Sequence, residues 1–241
     1  MLLAIDIGNT RTKAAVFEGS TLLKYFAFET AALKNQVAFI IAEFKNITNI
    51  TVASVAKHCE IPFLEGISSC VVGRSWAFPF KNCYSTPETL GIDRMILASG
   101  AVLMFPGKNR LIIDAGTCIT YDFVNDADEY LGGAISPGVR MRYESLHEKT
   151  ANLPLLNNNS PEVVVGDSTE ASIHSGVING IVFEINGFIN NFNPNQGNFI
   201  IILTGGDGDL LAKRLKNTIF ANSNFLLESL NQTFLHQNNN D

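Results

Sequence analysis

The chain has 241 residues, 46% of them hydrophobic and 17% charged, which is enough apolar material to bury the core of one large or two modest domains. A formal net charge of -6 excludes the broad basic footprint that nucleic-acid binding ordinarily uses, so an anionic ligand has to be held locally by amides, a cation or a few basic side chains. Four cysteines, at 59, 70, 83 and 118, form no Cys-x-x-Cys pair and have no histidine at zinc spacing, so neither a metal knuckle nor a disulfide framework is signalled.

The apolar run Leu2-Leu3-Ala4-Ile5 has no basic leader and is interrupted by Asp6 too early for a signal peptide. No apolar stretch approaches the roughly 18 residues of a membrane span, and a cytoplasmic location is expected. Strands are predicted at 2–7, 12–17 and 21–28, broken at Gly8-Asn9 and Gly19-Ser20. Residues 30–44 carry apolar positions at helical spacing and 50–55 read as a strand, giving a β-β-β-α-β order. Residues 59–87 are less regular. A helix is expected from near Glu88 through Gly91-Ile92-Asp93-Arg94 toward Met104, stopped by Pro106-Gly107.

From Arg110 the pattern recurs. Strands are expected at 111–113, 118–124 and 130–135, and Pro137 opens a helix carrying Arg140, Arg142 and His147. Asp167-Ser168-Thr169-Glu170 reads as a capping box opening a long helix through Gly176 to Phe192. A strand at 199–203 leads into Thr204-Gly205-Gly206-Asp207-Gly208, a glycine turn that opens another helix, and the polar residues 237–241 are expected to fray. A repeated β-meander with helices marks two related α/β halves, here 1–108 and 109–241, and places a ligand in the cleft between them.

The two halves share one local pattern: a buried strand delivers a carboxylate to a glycine turn, as Asp6-Ile7-Gly8-Asn9-Thr10 and as Asp114-Ala115-Gly116-Thr117. Glycine permits backbone dihedrals other residues avoid, and the turn exposes amides to something negative. One such turn is commonplace, but a matching carboxylate at both strand ends is what a clamp on phosphates and their metal requires. The chain has no Gly-x-x-x-x-Gly-Lys-Ser/Thr loop and no Gly-x-Gly-x-x-Gly after a strand, which excludes a P-loop protein and a typical Rossmann dehydrogenase.

Asp93 is the sharpest single candidate. An Asp-Arg pair on a helix is usually a solvated surface pair, but this one sits among Leu90, Ile92, Met95, Ile96 and Leu97, where a carboxylate is either paired or chemically employed. In phosphoryl transfer to an alcohol one carboxylate orients the hydroxyl and receives its proton. Asp93 suits that role, with Arg94 positioning an anionic acceptor. The histidines at 58, 147, 174 and 236 have no spacing of a ligand set and read as structural or surface residues, and Trp76 and the phenylalanines read as core. Gly132-Gly133 and Pro137-Gly138 are either turn punctuation or a place where backbone approaches a ligand.

Taken together the motifs resemble type III pantothenate kinase, a family of the acetate and sugar kinase, heat-shock ATPase and actin superfamily. The resemblance covers nearly the whole chain, through residues 6–13, Gly91-Ile92-Asp93-Arg94, Asp114-Ala115-Gly116-Thr117, the stretch 132–138 and Thr150-Ala151-Asn152-Leu153-Pro154. It implies duplicated actin-like, ribonuclease H-like α/β halves and ATP-dependent phosphorylation of the terminal hydroxyl of pantothenate to 4'-phosphopantothenate, the first step of coenzyme A synthesis. By this likeness Asp6, Ile7, Gly8, Asn9, Thr10, Arg11, Thr12 and Lys13 form the first phosphate loop, with Asp6 near magnesium and Lys13 near phosphate, and Thr117 touches ATP. Asp93 is then the proton acceptor, Tyr84, Gly91, Ile92, Arg94 and Thr169 complete the pantothenate pocket, and Asp114 falls where the family binds potassium or ammonium. The family is typically homodimeric with that pocket near the interface, so Thr169 is expected to serve the neighbouring subunit. Cys118 departs from the small residue relatives more often carry, a change expected to matter little.

Two rival readings are a small sugar or acid kinase on the same fold, which a substrate panel separates, and a non-catalytic regulator. Asp6, Asp93 and Asp114 together argue against the regulator, because binding alone does not require three carboxylates.

Overall fold

Leu2–Ile7 (β1), Arg11–Glu18 (β2) and Thr21–Glu29 (β3) form the expected meander, followed by a short 3₁₀ turn at Thr30–Ala32 and helix α1 (Leu33–Glu43). The computed structural model describes residues 1–8, 11–54, 64–161, 163–192, 198–216 and 219–240, the side chain of residue 240 apart. The expectations for Asn9, Thr10, Val55, His58 and Cys59 lie outside them. Asn49–Ser54 (β4) and Ser68–Val71 (β5) complete a five-stranded sheet in the order β3-β2-β1-β4-β5. Within it β1 runs antiparallel to β2 and parallel to β4.

Strand periodicity decides what β1 presents to each side. Leu3, Ile5 and Ile7 pack with Val37 and Ile40 of α1. Leu2 and Ala4 face the opposite way and pack with Ala15, Phe17, Ala53 and Ile96. Asp6 continues the second row, opposite Lys13 on β2 and Ala53 on β4.

That second face is covered by α2 (Ile92–Met104) and by α7 (Phe225–Asn240), the last helix of the chain. Helix α2 begins later than the sequence predicts: Pro87–Thr89 is a separate 3₁₀ turn, Leu90 and Gly91 are extended, and Gly91 is the N-cap. Helix α7 corrects the expectation of a frayed tail at 237–241 as far as residue 240. Its residues Leu227, Leu230 and Phe234 recur at helical spacing and enter the core, Thr233 Oγ1 donates to Ser99 Oγ of α2 at 2.7 Å, and Gln237 Oε1 accepts from the Ala77 amide at 2.8 Å.

Asn109–Ala115 (β7), Cys118–Val124 (β8), Glu129–Pro137 (β9), Phe199–Thr204 (β10) and Phe220–Ala221 (β11) repeat the arrangement in the order β9-β8-β7-β10-β11. Again the first strand is antiparallel to the second and parallel to the fourth. The same strand order and sense in both sheets is the mark of internal duplication. Leu111, Ile113 and Ala115 pack with Ile178, Ile181 and Ile185, while Asp114 belongs to the alternate row on the other face. The short β6 (Lys81–Asn82) pairs in parallel with Glu129 and Tyr130.

The helices of this region are α3 (Val139–Glu148), α4 (Thr169–His174), α5 (Gly180–Phe192) and α6 (Gly208–Ala212), with a π-helical turn at Ser175–Asn179 joining α4 to α5. Two helix starts differ from expectation. Pro137 ends β9 instead of opening α3, whose N-cap is Gly138. The N-cap of α4 is Ser168, whose hydroxyl accepts from the Ala171 amide at 3.2 Å, so Glu170 does not close a capping box.

By compactness the chain divides into two units, one of Met1–Pro106, Asp128–Tyr130 and Asn224–Asp241, the other of Gly107–Ala127 and Leu131–Ser223. The units are therefore not two contiguous blocks, because α7 folds with the N-terminal one.

Candidate active site

In the first unit the β1–β2 hairpin brings Asp6 opposite Lys13, and the packing of α2 on the same sheet face brings Asp93 within electrostatic reach of Asp6. Burial pushes the Asp6 carboxyl up from 3.8 to about 6; Lys13 partly offsets this and the Asp93 carboxylate adds to it. A buried carboxylate beside a second carboxylate is a place where additional positive charge is favourable. Lys13 is the neighbouring positive charge, and no group of three or more His, Cys, Asp or Glu side chains that could hold a metal ion occurs among the described residues.

The turn itself is tied down. The Gly8 amide donates to the Arg11 carbonyl at 3.1 Å, and Thr30 Oγ1 donates to the Gly8 carbonyl at 2.9 Å. A Cβ on Gly8 would meet the Arg11 carbonyl oxygen at 2.8 Å, so only glycine lets the chain turn this tightly. Three expected loop residues have defined surroundings. Thr12 is fully buried with its hydroxyl 3.1 Å from Thr30 Oγ1, Ile7 packs its side chain into the core, and Arg11 is exposed.

Asp93 lies in the first turn of α2, two residues after the N-cap Gly91. Gly91 caps the helix with extended backbone, and a Cβ there would fall on Asp93 Oδ1. Arg74 Nη2 donates to the Leu90 carbonyl at 2.7 Å and fixes the approach to this cap. Arg94 is almost wholly buried and places its guanidinium 5.8 Å from the centre of the Tyr84 ring, which meets Tyr130 edge-on at 6.1 Å. Ile92 packs against the α2–α7 core. Asp6, Lys13, Tyr84, Gly91, Ile92, Asp93 and Arg94 all belong to the first unit.

In the second unit Asp114 is the penultimate residue of β7, and the tip at Gly116 and Thr117 closes with the Gly116 amide donating to the Cys118 carbonyl at 3.0 Å. Two other glycine segments press on this tip. Gly205, at φ +94°, would drive a Cβ into the Ala115 backbone and Asp114 Oδ1, and the Asp207 amide donates to the Ala115 carbonyl at 3.0 Å. Gly138 would drive a Cβ into the carbonyls of Gly116 and Thr117, and its amide donates to the Thr117 carbonyl at 3.1 Å. The glycine clusters left open by the sequence thus have distinct uses: Gly138 serves the tip, whereas Gly133 allows β9 to approach the Tyr121 carbonyl of β8.

Thr169, the first residue of α4, is exposed and lines a cavity of about 760 Å³ with Leu146, Leu153 and Ile173. His147 Nδ1 contacts the Leu153 carbonyl at 2.8 Å and His174 Nδ1 the Tyr143 hydroxyl at 2.8 Å, in keeping with structural roles. Residues the sequence reading did not single out are Tyr121, Ser136 and Glu184, which with Arg142 form a connected polar cluster. Their only sequence signal is polarity at strand and helix positions that otherwise face the core.

No helix among the described residues is long and apolar enough to cross a membrane. Comparison with known proteins agrees with the motif pattern. The sequence profile described as type III pantothenate kinase matches residues 2–191. A type III pantothenate kinase of Flavobacterium johnsoniae is 58% identical over 244 aligned residues, covering 100% of both chains. Among solved structures, one described as a Baf family transcriptional activator from Campylobacter jejuni superposes with a TM-score of 0.65 at 23% identity, covering 98% of this chain and 99% of that one. One described as a 2-dehydro-3-deoxygalactonokinase from Sinorhizobium meliloti does so at 0.61 and 11% identity, covering 98% and 96%. These structures speak for the shared duplicated, actin-like fold. The profile match and the full-length identity show that the chain belongs to the type III pantothenate kinase family.

Proposed function

We propose that the protein transfers the γ-phosphoryl group of ATP to the terminal hydroxyl of pantothenate, giving 4'-phosphopantothenate in the first step of coenzyme A synthesis. The observation that carries the reading is the grouping of Asp6, Lys13 and Asp93, where one carboxylate calls for a cation and the other lies in the first turn of a helix. Asp93 orients the acceptor hydroxyl and takes its proton. Arg94 and Tyr84 hold the anionic end of the substrate beside Gly91 and Ile92. The residues 6–13 and Thr117 bind the phosphates, and positioning with charge stabilisation supplies most of the acceleration.

Magnesium held at Asp6 neutralises the phosphate oxygens when bound, and Asp114 is the proposed site of potassium or ammonium. The working form is a cytoplasmic homodimer in which Thr169 serves the neighbouring subunit's pocket. The test is a coupled ADP-release assay with pantothenate, a panel of sugars and acids, and potassium present or absent. Pantothenate is expected as the preferred acceptor, and Asp93→Asn is expected to lower kcat by roughly 10²- to 10⁴-fold. Preference for a sugar would overturn the substrate, and near-normal turnover of the variant would remove Asp93 from its role.

A further inference from the structure

The polar cluster in the second unit joins two segments that meet at the tip of the β7–β8 hairpin. Glu184, on α5, accepts from the Tyr121 hydroxyl of β8 at 2.7 Å, from Ser136 Oγ at 3.0 Å and from Arg142 Nη2 at 2.6 Å. Arg142 Nη2 is also 2.7 Å from Ser136 Oγ, and its Nε donates to the Pro137 carbonyl at 2.9 Å. The next residue, Gly138, is the one whose amide reaches the Thr117 carbonyl and whose missing Cβ lets the two backbones touch. One carboxylate therefore grips the strand that leaves the tip and, through Arg142, the turn that lies against it. Burial disfavours its charge, but the bonds from Arg142, Tyr121 and Ser136 outweigh this and hold Glu184 below its ordinary range.

We infer that Glu184 is a positioning residue for the phosphate-binding tip at Gly116 and Thr117, acting through Arg142 on the Pro137–Gly138 peptide. The arrangement exceeds what stability requires, because a half-buried ion pair is replaceable by apolar residues of similar size at little cost, whereas the guanidinium holds the carbonyl side of the same planar peptide whose Gly138 amide donates to the Thr117 carbonyl. The inference rests on the reading that this tip binds ATP.

The experiment compares wild type, Glu184→Gln, Arg142→Lys and the double variant Glu184→Met with Arg142→Met. Two measurements are made: KM for ATP and for pantothenate, and amide hydrogen exchange of the segment containing Gly138. Glu184→Gln is expected to raise KM for ATP by roughly 10- to 100-fold, the scale of a small misplacement of a binding group. KM for pantothenate should stay within about twofold, and Gly138 exchange should accelerate. The Met pair is expected to recover the thermal midpoint without recovering KM for ATP. Should Glu184→Gln fail to fold, Arg142→Lys, which lacks the planar fork, is held to the same two criteria.

An unchanged KM for ATP, an unchanged Gly138 exchange rate, or full recovery of ATP affinity by the Met pair would each overturn the inference. A wild-type protein that binds ATP without phosphorylating pantothenate would instead overturn the substrate reading, with nucleotide Kd then replacing KM in the same comparison. If the wild type binds no ATP, both fall.

Discussion

Replacing Gly91 by alanine tests the geometry of the proposed proton acceptor without touching its chemistry. The backbone at Gly91, φ -61° and ψ 138°, is open to any residue, so alanine adds no strain there. Its Cβ, however, falls on Asp93 Oδ1. The carboxylate has to leave its present rotamer or distort within it, a cost of about 0.5–1.5 kcal/mol, and alanine is a poorer N-cap than glycine by roughly 0.5–1 kcal/mol. Together these amount to about 1–2.5 kcal/mol, which at roughly 2–4 °C per kcal/mol for a chain of this size lowers Tm by several degrees and leaves the protein folded at assay temperature. The rate effect is larger, since a catalytic group misplaced by about 1 Å costs on the order of 10²-fold. Coupled ADP release at saturating ATP and pantothenate measures kcat, with a thermal melt as the control for folding. A folded Gly91→Ala protein with kcat within about threefold of wild type would show that the position of the Asp93 carboxylate does not matter, and the assignment of Asp93 would fail with it.

The pH dependence of stability follows from Asp6. Its carboxyl is raised from 3.8 to about 6 in the folded protein, so the folded state favours the protonated form; that stabilisation is full below about pH 4 and is lost as pH rises through 6. Above that the ionised group costs the ligand-free protein on the order of 3 kcal/mol. Asp6→Asn is therefore expected to raise the thermal midpoint of nucleotide-free protein at pH 8 but not near pH 4, while activity is lost; equal shifts at both pH values would refute the burial argument. Gly100→Ala places a Cβ against Ser229, including its Cα, across the α2–α7 packing. A loss of about 1–3 kcal/mol is expected, read as a lower midpoint in thermal melts and partly recovered by adding Ser229→Gly. No recovery would mean that this contact does not limit how closely the helices pack.

The duplicated meander was legible because its signals are local. Apolar runs ending at Gly8, Gly19 and Gly116 prescribe strands and turns from backbone sterics alone, and the placement of Asp6 opposite Lys13 follows from strand alternation once the hairpin is granted. Helix starts were less legible. The start of α2 depends on Leu90 being held extended, with its carbonyl bound by Arg74 from elsewhere in the chain. The start of α4 depends on which of two adjacent polar residues caps it, and Ser168 prevails over Asp167. Helix α7 was missed because its tail is a run of Gln and Asn, and its order comes from contacts with Ala77 and α2.

By itself the sequence determined that two carboxylates stand at the ends of buried strands beside glycine turns, and that a third follows Gly91 in apolar company. Only the tertiary structure decided that Asp93 reaches Asp6, since this requires α2 to lie on the even-numbered face of β1. It alone seated Gly138 and Gly205 on the second tip and aimed Arg142 at the Pro137 carbonyl. The physical reason is that turn and strand preferences act between neighbours in the chain, whereas charge coupling and close backbone contact act between residues that only packing brings together.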